Sequence, residues 1–119
     1  MASNTVVVEI GSALIRIGFA GESIPRLITP ITSFPTLKAN VENFSQLSPG
    51  RIRQSYTEFF HSLFLENLQV KPKDFRVLII EKFFTPRVLR NSLLTSLLKD
   101  LQVRKILLVR YITCPPHHH

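Results

Sequence analysis

The chain has 119 residues, 45% of them hydrophobic and 19% charged. That length predicts one domain, and the apolar share predicts a packed core in place of wholesale disorder. No apolar run reaches the roughly 20 residues that span a bilayer, and an integral membrane protein, a collagen or a coiled coil is not expected. Fifteen Lys and Arg against eight Asp and Glu leave a formal charge of +7. The basic residues are scattered from Arg16 to Arg110, with no run longer than Arg104-Lys105. A solvated basic surface is expected, and neither nucleic acid nor membrane is expected as a partner. The single cysteine, Cys114, excludes an internal disulfide framework and a multi-cysteine zinc site. The start, Met1-Ala2-Ser3-Asn4-Thr5, lacks the basic opening of a secretory signal.

The β-branched run Thr5-Val6-Val7-Val8-Glu9-Ile10 predicts a strand over 5–10. Gly11-Ser12 permits a tight turn, and Leu14 to Ala20 predicts a second strand over 14–20. Gly21-Glu22-Ser23 makes another turn before a short strand over 26–29. From 30 to 50 the chain changes character. Pro30, Pro35, Pro49 and Gly50 mark a loop or small irregular excursion. Ile52, Tyr56, Phe59, Phe60, Leu63, Phe64 and Leu68 recur at spacings of three and four, which predicts an amphipathic helix over 51–68, capped by Ser48. The continuous run Val77-Leu78-Ile79-Ile80 predicts a strand over 75–81 covered on both faces. Thr85-Pro86 reads as a helix start, with a capping hydroxyl before a proline at the first helical position. Leu89, Leu93, Leu94, Leu97, Leu98 and Leu101 carry that helix over 86–101, and Ile106-Leu107-Leu108-Val109 centres a last strand over 103–110.

A meander followed by two αβ crossovers makes an α/β, mixed five-stranded sheet with helices packed on it. This is the ribonuclease-H-like order, incomplete at the C-terminus because one more helix normally follows the last strand. Residues 1–110 form the expected unit and 111–119 a tail outside it. Val7, Ile17, Phe60, Phe64, Leu78, Ile80, Leu94, Leu98 and Leu107 are expected to be mainly buried. No internal repeat is expected.

The chemistry-bearing candidate is the first turn and its flanks. Backbone N–H groups around Gly11, Ser12, Ala13 and Leu14 can form an anion nest. Ser12 would add a hydroxyl, Arg16 a charge-assisted fork, and Glu9 a carboxylate near a magnesium's water shell. A Gly-Ser hairpin is more often only a hairpin, and the chain has no Walker A pattern or dinucleotide fingerprint. His61 reads as a packing histidine. Cys114 with His117, His118 and His119 reads as a tail with, at most, adventitious metal affinity.

The segment from Val6 to Arg26 resembles the amino-terminal phosphate loop of actins and actin-related proteins, most specifically through Gly18-Phe19-Ala20-Gly21, an acidic residue, then Pro25-Arg26. A second block, Glu66-Asn67-Leu68-Gln69-Val70 with Pro72, then Val77 to Glu81 and Pro86, is similar to the family's next helix, strand and helix start. The shortened stretch after Pro30, Phe59-Phe60-His61 and Ile79-Ile80-Glu81 lean toward the divergent branch at the pointed end of the dynactin filament. The resemblance implies the actin-like ATPase fold and a structural role in the cytoplasm and cytoskeleton. The implied partners are dynactin pointed-end subunits and the actin-related filament, acting in dynein-based microtubule transport.

Departures from the family weaken its chemistry. Glu9 stands where the resemblance implies an aspartate, Ala13 where it implies a glycine, and Arg16 where it implies a lysine. Ala13 puts a Cβ where backbone should approach a phosphate. The second phosphate loop and base pocket have no counterpart in these residues. No catalysis and no resident cofactor are therefore expected, with magnesium-ATP binding reserved for a full-length relative. The alternative reading is a nucleotide-binding, actin-like ATPase fragment.

Overall fold

The computed structural model describes residues 4–82 and 85–111. Five strands form one sheet: β1 (Thr5–Ile10), β2 (Leu14–Phe19), β3 (Leu27–Pro30), β4 (Arg76–Lys82) and β5 (Lys105–Tyr111). Three helices accompany them: α1 (Pro35–Asn43), α2 (Pro49–Ser62) and α3 (Arg87–Thr95). The strand order is β3-β2-β1-β4-β5. β1, β2 and β3 pair antiparallel as a meander, while β4 runs parallel to β1 and β5 parallel to β4. The mixed five-stranded α/β sheet expected from the element order is the observed one.

Register explains which residues reach the core. Val6 lies opposite Phe19 and Val77, and Val8 opposite Ile17 and Ile79. Val6, Val8, Ile15, Ile17, Val77 and Ile79 are all buried, together with Ile52, Phe59, Phe60, Leu63 and Phe64 from α2 and the turn after it, and Leu89, Leu93 and Leu97 from α3 and its continuation. Each fully buried large side chain contributes about 1.5–3 kcal/mol. Phe59 stands edge-on to both Phe34 and Phe60, which extends the core toward α1.

The residues of alternate parity face the other way. Val7, Leu78 and Ile80 are only half-buried, and Ile28, Leu107 and Val109 are exposed. Of the residues expected in the core, Ile17, Phe60 and Phe64 are buried there; Val7, Leu78, Ile80 and Leu94 are half-buried; Leu98 and Leu107 are exposed. The cause is common to the strand residues. Among the described residues the helices bury one face of the sheet, so the continuous apolar run of β4 does not mark cover on both faces.

Leu98 is turned out by a local change of helix pitch. α3 ends in a wide π-type turn, Ser96–Asp100. At more than four residues per turn Leu97 aligns with Leu101, and Leu98 falls off the buried face. α2 ends the same way, in Leu63–Asn67. Each wide turn closes on a glutamine with positive φ, Gln69 at 57° and Gln102 at 58°. The amide of Val70 then donates to the Phe64 carbonyl (2.9 Å), and that of Val103 to the Leu97 carbonyl (3.0 Å). Leu68-Gln69-Val70 and Leu101-Gln102-Val103 thus make the same turn at the two helix-to-strand passages.

Two further expectations are corrected. The 30–50 stretch is not irregular throughout, since it contains α1. Its prolines punctuate the helices: Pro35 opens α1 and Pro49 opens α2, each where the missing N–H costs nothing. Leu37 and Asn40 then share a buried side of α1. Thr85 is not the cap of α3. Pro86 holds that position in extended conformation, and its carbonyl accepts the Arg90 amide at 3.0 Å. Ser48 does cap α2, its hydroxyl accepting the Arg51 amide at 3.3 Å. The expectations for residues 112–119, including Cys114 and His117 to His119, lie outside the described residues.

Candidate functional site

The first turn is held from both sides. The Gly11 amide donates to the Leu14 carbonyl at 2.9 Å, closing the hairpin. The Ile31 amide donates to the Ala13 carbonyl at 2.9 Å, tying the turn to the chain after β3. Gly11 is needed for close approach, because a Cβ there would stand 3.0 Å from the Leu14 carbonyl oxygen. Ser12, Ala13 and Leu14 are exposed around it.

The strand alternation divides the expected site in two. Glu9 and Arg16 are direct cross-strand partners on the open face of the sheet. They line a shallow groove of about 290 Å³ that continues along Gly18 to the 21–25 turn. Gly11 and Ser12 instead line a larger cavity of about 540 Å³, at the carboxyl ends of β1 and β4. Ala13 and Leu14 line neither space. The Gly11 amide is spent inside the hairpin, and the carboxylate and guanidinium do not share a cavity with the turn. These residues do not form one cradle for a magnesium-bound triphosphate. Among the described residues, no three His, Cys, Asp or Glu side chains converge to hold a metal ion.

The larger cavity contains the polar groups that the sequence reading missed. Glu81, next to last in β4, is buried, with 6% exposure. Arg90, on the first turns of α3, grips it with two bonds: Nε to Oε1 at 3.1 Å and Nη2 to Oε2 at 2.9 Å. That pairing raises the Arg90 guanidinium further above its already high range. Tyr56 of α2 reaches the same cavity. Burial first, then the negative Glu81 carboxylate, pushes its phenol well above the ordinary value. The sequence signal for this cluster was the acidic residue closing an apolar strand; the partner nine residues later carried no signal of its own.

Charge elsewhere is structural. Arg53 of α2 forks onto Asp100 after α3 at 2.9 and 2.6 Å. Thr57 donates to the same carboxylate at 2.7 Å and bonds Ser96 at 2.7 Å. The hydrogen bond from Arg53 holds the Asp100 carboxyl below its usual range against opposing desolvation, with Thr57 adding a second donor. Arg26 pairs with Glu22 and lies over the Phe19 ring, its guanidinium carbon 5.0 Å from the centroid. Among the described residues no helix is long and apolar enough to cross a membrane.

The fold and its site therefore define a helix-backed mixed sheet with a tightened hairpin turn and a buried ion pair at its strand ends. No protein-family model matches the chain. The chain is similar to actin-related protein 10 of Dictyostelium discoideum, 25% identical over an alignment of 134 positions that takes in 91% of this chain. It spans 28% of the length of that relative. The likeness is to an actin-related protein.

Proposed function

We propose that the chain is an amino-terminal, actin-like unit of the pointed-end branch of the actin-related proteins, serving as a structural component in place of a catalyst. In this reading it joins the dynactin pointed-end subunits and the actin-related filament that support dynein-based microtubule transport in the cytoplasm. The observation that carries the reading is similarity to actin-related protein 10 across 91% of the chain. The meander with two αβ crossovers supports it, because that is the order the resemblance implies. The divided phosphate site favours a structural role over the alternative of a nucleotide-binding ATPase fragment, since Glu9 and Arg16 do not meet Gly11 and Ser12 in one space.

The test is reconstitution. The 119-residue chain is co-expressed with purified-component sets of pointed-end subunits and actin-related filament, and complexes are resolved by sedimentation. Stoichiometric incorporation at the filament end is the expected result. A chain that never enters the complex, while remaining folded by circular dichroism, overturns the reading.

A further inference from the structure

The cavity at the carboxyl ends of β1 and β4 has apolar walls and one polar centre. Among the wall residues Ile79, Leu89 and Leu93 are buried, and Ile10, Val41 and Ile80 are half-buried. At about 540 Å³ it falls within the range of sites that enclose small organic molecules. Ser12, which is exposed, also lines it, so the space reaches solvent. The polar centre is Tyr56 with Glu81. Tyr56 is 3% exposed, and its hydroxyl has no hydrogen-bond partner among the described residues. A buried tyrosine usually finds a partner for its O–H. Burial, and then the Glu81 charge, keep the phenol protonated, so it has a proton to donate. Each Glu81 oxygen accepts one bond from Arg90 and has lone-pair capacity left.

We propose that this cavity is a binding site for a small uncharged alcohol or phenol, whose hydroxyl accepts from Tyr56 and donates to Glu81 while its apolar body covers the walls. The chemistry of the cavity selects this class. A carboxylate, a phosphate or an ammonium group finds no free counter-charge, because Glu81 and Arg90 neutralise each other. A ketone or an ether accepts from Tyr56 but turns its remaining lone pair toward the carboxylate. A primary amide makes both bonds and leaves a further N–H against apolar side chains, which costs free energy. A single water bridging the two groups falls short of the three bonds a buried water usually makes. The hydroxyl of an alcohol pairs both groups with its one proton and leaves no donor over. The site rests on these residues and not on the actin-related reading, so its test stands apart from the reconstitution.

The probe is p-cresol, and its control is toluene, the same molecule without the hydroxyl. Each is titrated into the isotope-labelled 119-residue chain, and backbone amide shifts are followed by nuclear magnetic resonance. Saturable shifts at Ser12, Glu81 and Arg90 are expected for p-cresol, with a dissociation constant in the millimolar range or tighter. Toluene is expected to bind about tenfold more weakly, since it leaves the donor and the charged acceptor unbridged. Tyr56→Phe keeps the ring stacked on Phe60 and removes only the hydroxyl. It is expected to lower p-cresol affinity about tenfold, to that of toluene, and to leave toluene binding unchanged. Leu89→Phe adds bulk to the cavity wall and is expected to weaken both probes together, with unchanged far-ultraviolet circular dichroism. If that variant does not fold, the Tyr56→Phe comparison decides alone. Absence of saturable p-cresol shifts at these residues overturns the proposal, whether water or the chain's own side chains fill the space. Equal affinity for the two probes, or p-cresol binding that Tyr56→Phe leaves unchanged, also overturns it.

Discussion

Glu81 and Arg90 lock the carboxyl end of β4 to the first turns of α3 through two parallel bonds, with the carboxylate buried and the guanidinium only partly so. Removing the arginine strands a charged acceptor that is itself buried. Arg90→Met is expected to cost about 2 kcal/mol, because an unpaired buried group loses its compensation while still missing water. The double variant Glu81→Met/Arg90→Met is expected to be less destabilised than Arg90→Met alone, since it leaves no charge behind. Urea denaturation of both variants checks the order. If the single arginine variant proves the more stable of the two, the pair is not holding the strand end.

Arg53, Thr57 and Asp100 form the matching tie between α2 and the end of α3. The folded state depresses the Asp100 carboxyl, so its contribution is present above the ordinary unfolded value near pH 4 and is lost as pH falls through the lower folded value. Asp100→Asn is therefore expected to flatten the acid limb of the stability profile and to lower stability at neutral pH. Denaturant midpoints measured from pH 7 down to pH 2 decide this. An acid limb of equal steepness in the variant would assign the loss to other carboxylates.

Tyr56 acts at the opposite end of the pH scale. Its folded phenol is raised, so stability is complete below the unfolded value near pH 10 and falls as pH climbs toward the folded one. In that window the unfolded chain gives up a proton that the folded chain keeps. One such proton corresponds to about 1.4 kcal/mol per pH unit. Tyr56→Phe removes the group and is expected to lessen the alkaline decline by about that slope. Paired melts of the two chains between pH 9 and pH 11.5 measure it, and parallel declines would contradict it.

The sheet was legible because its signals are local. Val6-Val7-Val8 and Val77-Leu78-Ile79-Ile80 have no competing helical period, and the turns at Gly11 and Gly21 fix the meander between them. Which face each strand buries was not legible for β4 or β5, because a continuous apolar run has no alternation to read. Leu107 and Leu78 thus looked like core, and only the placement of the helices shows otherwise. α1 was hidden by prolines that open helices as readily as they end them. Half of the candidate site was also readable in principle. Period-two alternation puts Glu9 and Arg16 on one face, away from the turn. The Glu81–Arg90 pair was not, since it joins a strand end to a helix across 9 residues with no fixed spacing rule.

Gln69 and Gln102 hold left-handed backbone at the two helix-to-strand passages. A side chain in that region carries a steric cost that glycine does not. Gln69→Gly and Gln102→Gly are each expected to stabilise the fold by about 0.5–1 kcal/mol, despite the greater freedom glycine gives the unfolded chain. Gln69→Val should go the other way, because a branched Cβ suits this conformation poorly. Thermal melts of the three variants supply the test. A lower midpoint for both glycine variants would show that the glutamine side chains contribute more than their backbone strain costs.

The last prediction separates the structural reading from the nucleotide-binding one. Useful affinity for magnesium-ATP needs several donors converging on the phosphates and a carboxylate near the metal. Here the Gly11 amide is already bonded to Leu14, Ala13 carries a Cβ, and Arg16 and Glu9 face the open side of the sheet. Ser12 and Gly11 line a different cavity, where the Arg90 guanidinium is already spent on the Glu81 carboxylate. An exposed turn with one displaced arginine supplies only a few kcal/mol, which corresponds to millimolar binding. We therefore expect no hydrolysis, and no magnesium-dependent ATP binding tighter than about 100 μM. Titration calorimetry on the soluble chain, with Arg16→Ala as the control, measures this directly. Micromolar binding that Arg16→Ala abolishes would mean that the hairpin rearranges to bring both halves of the divided site together, and the structural reading would fail.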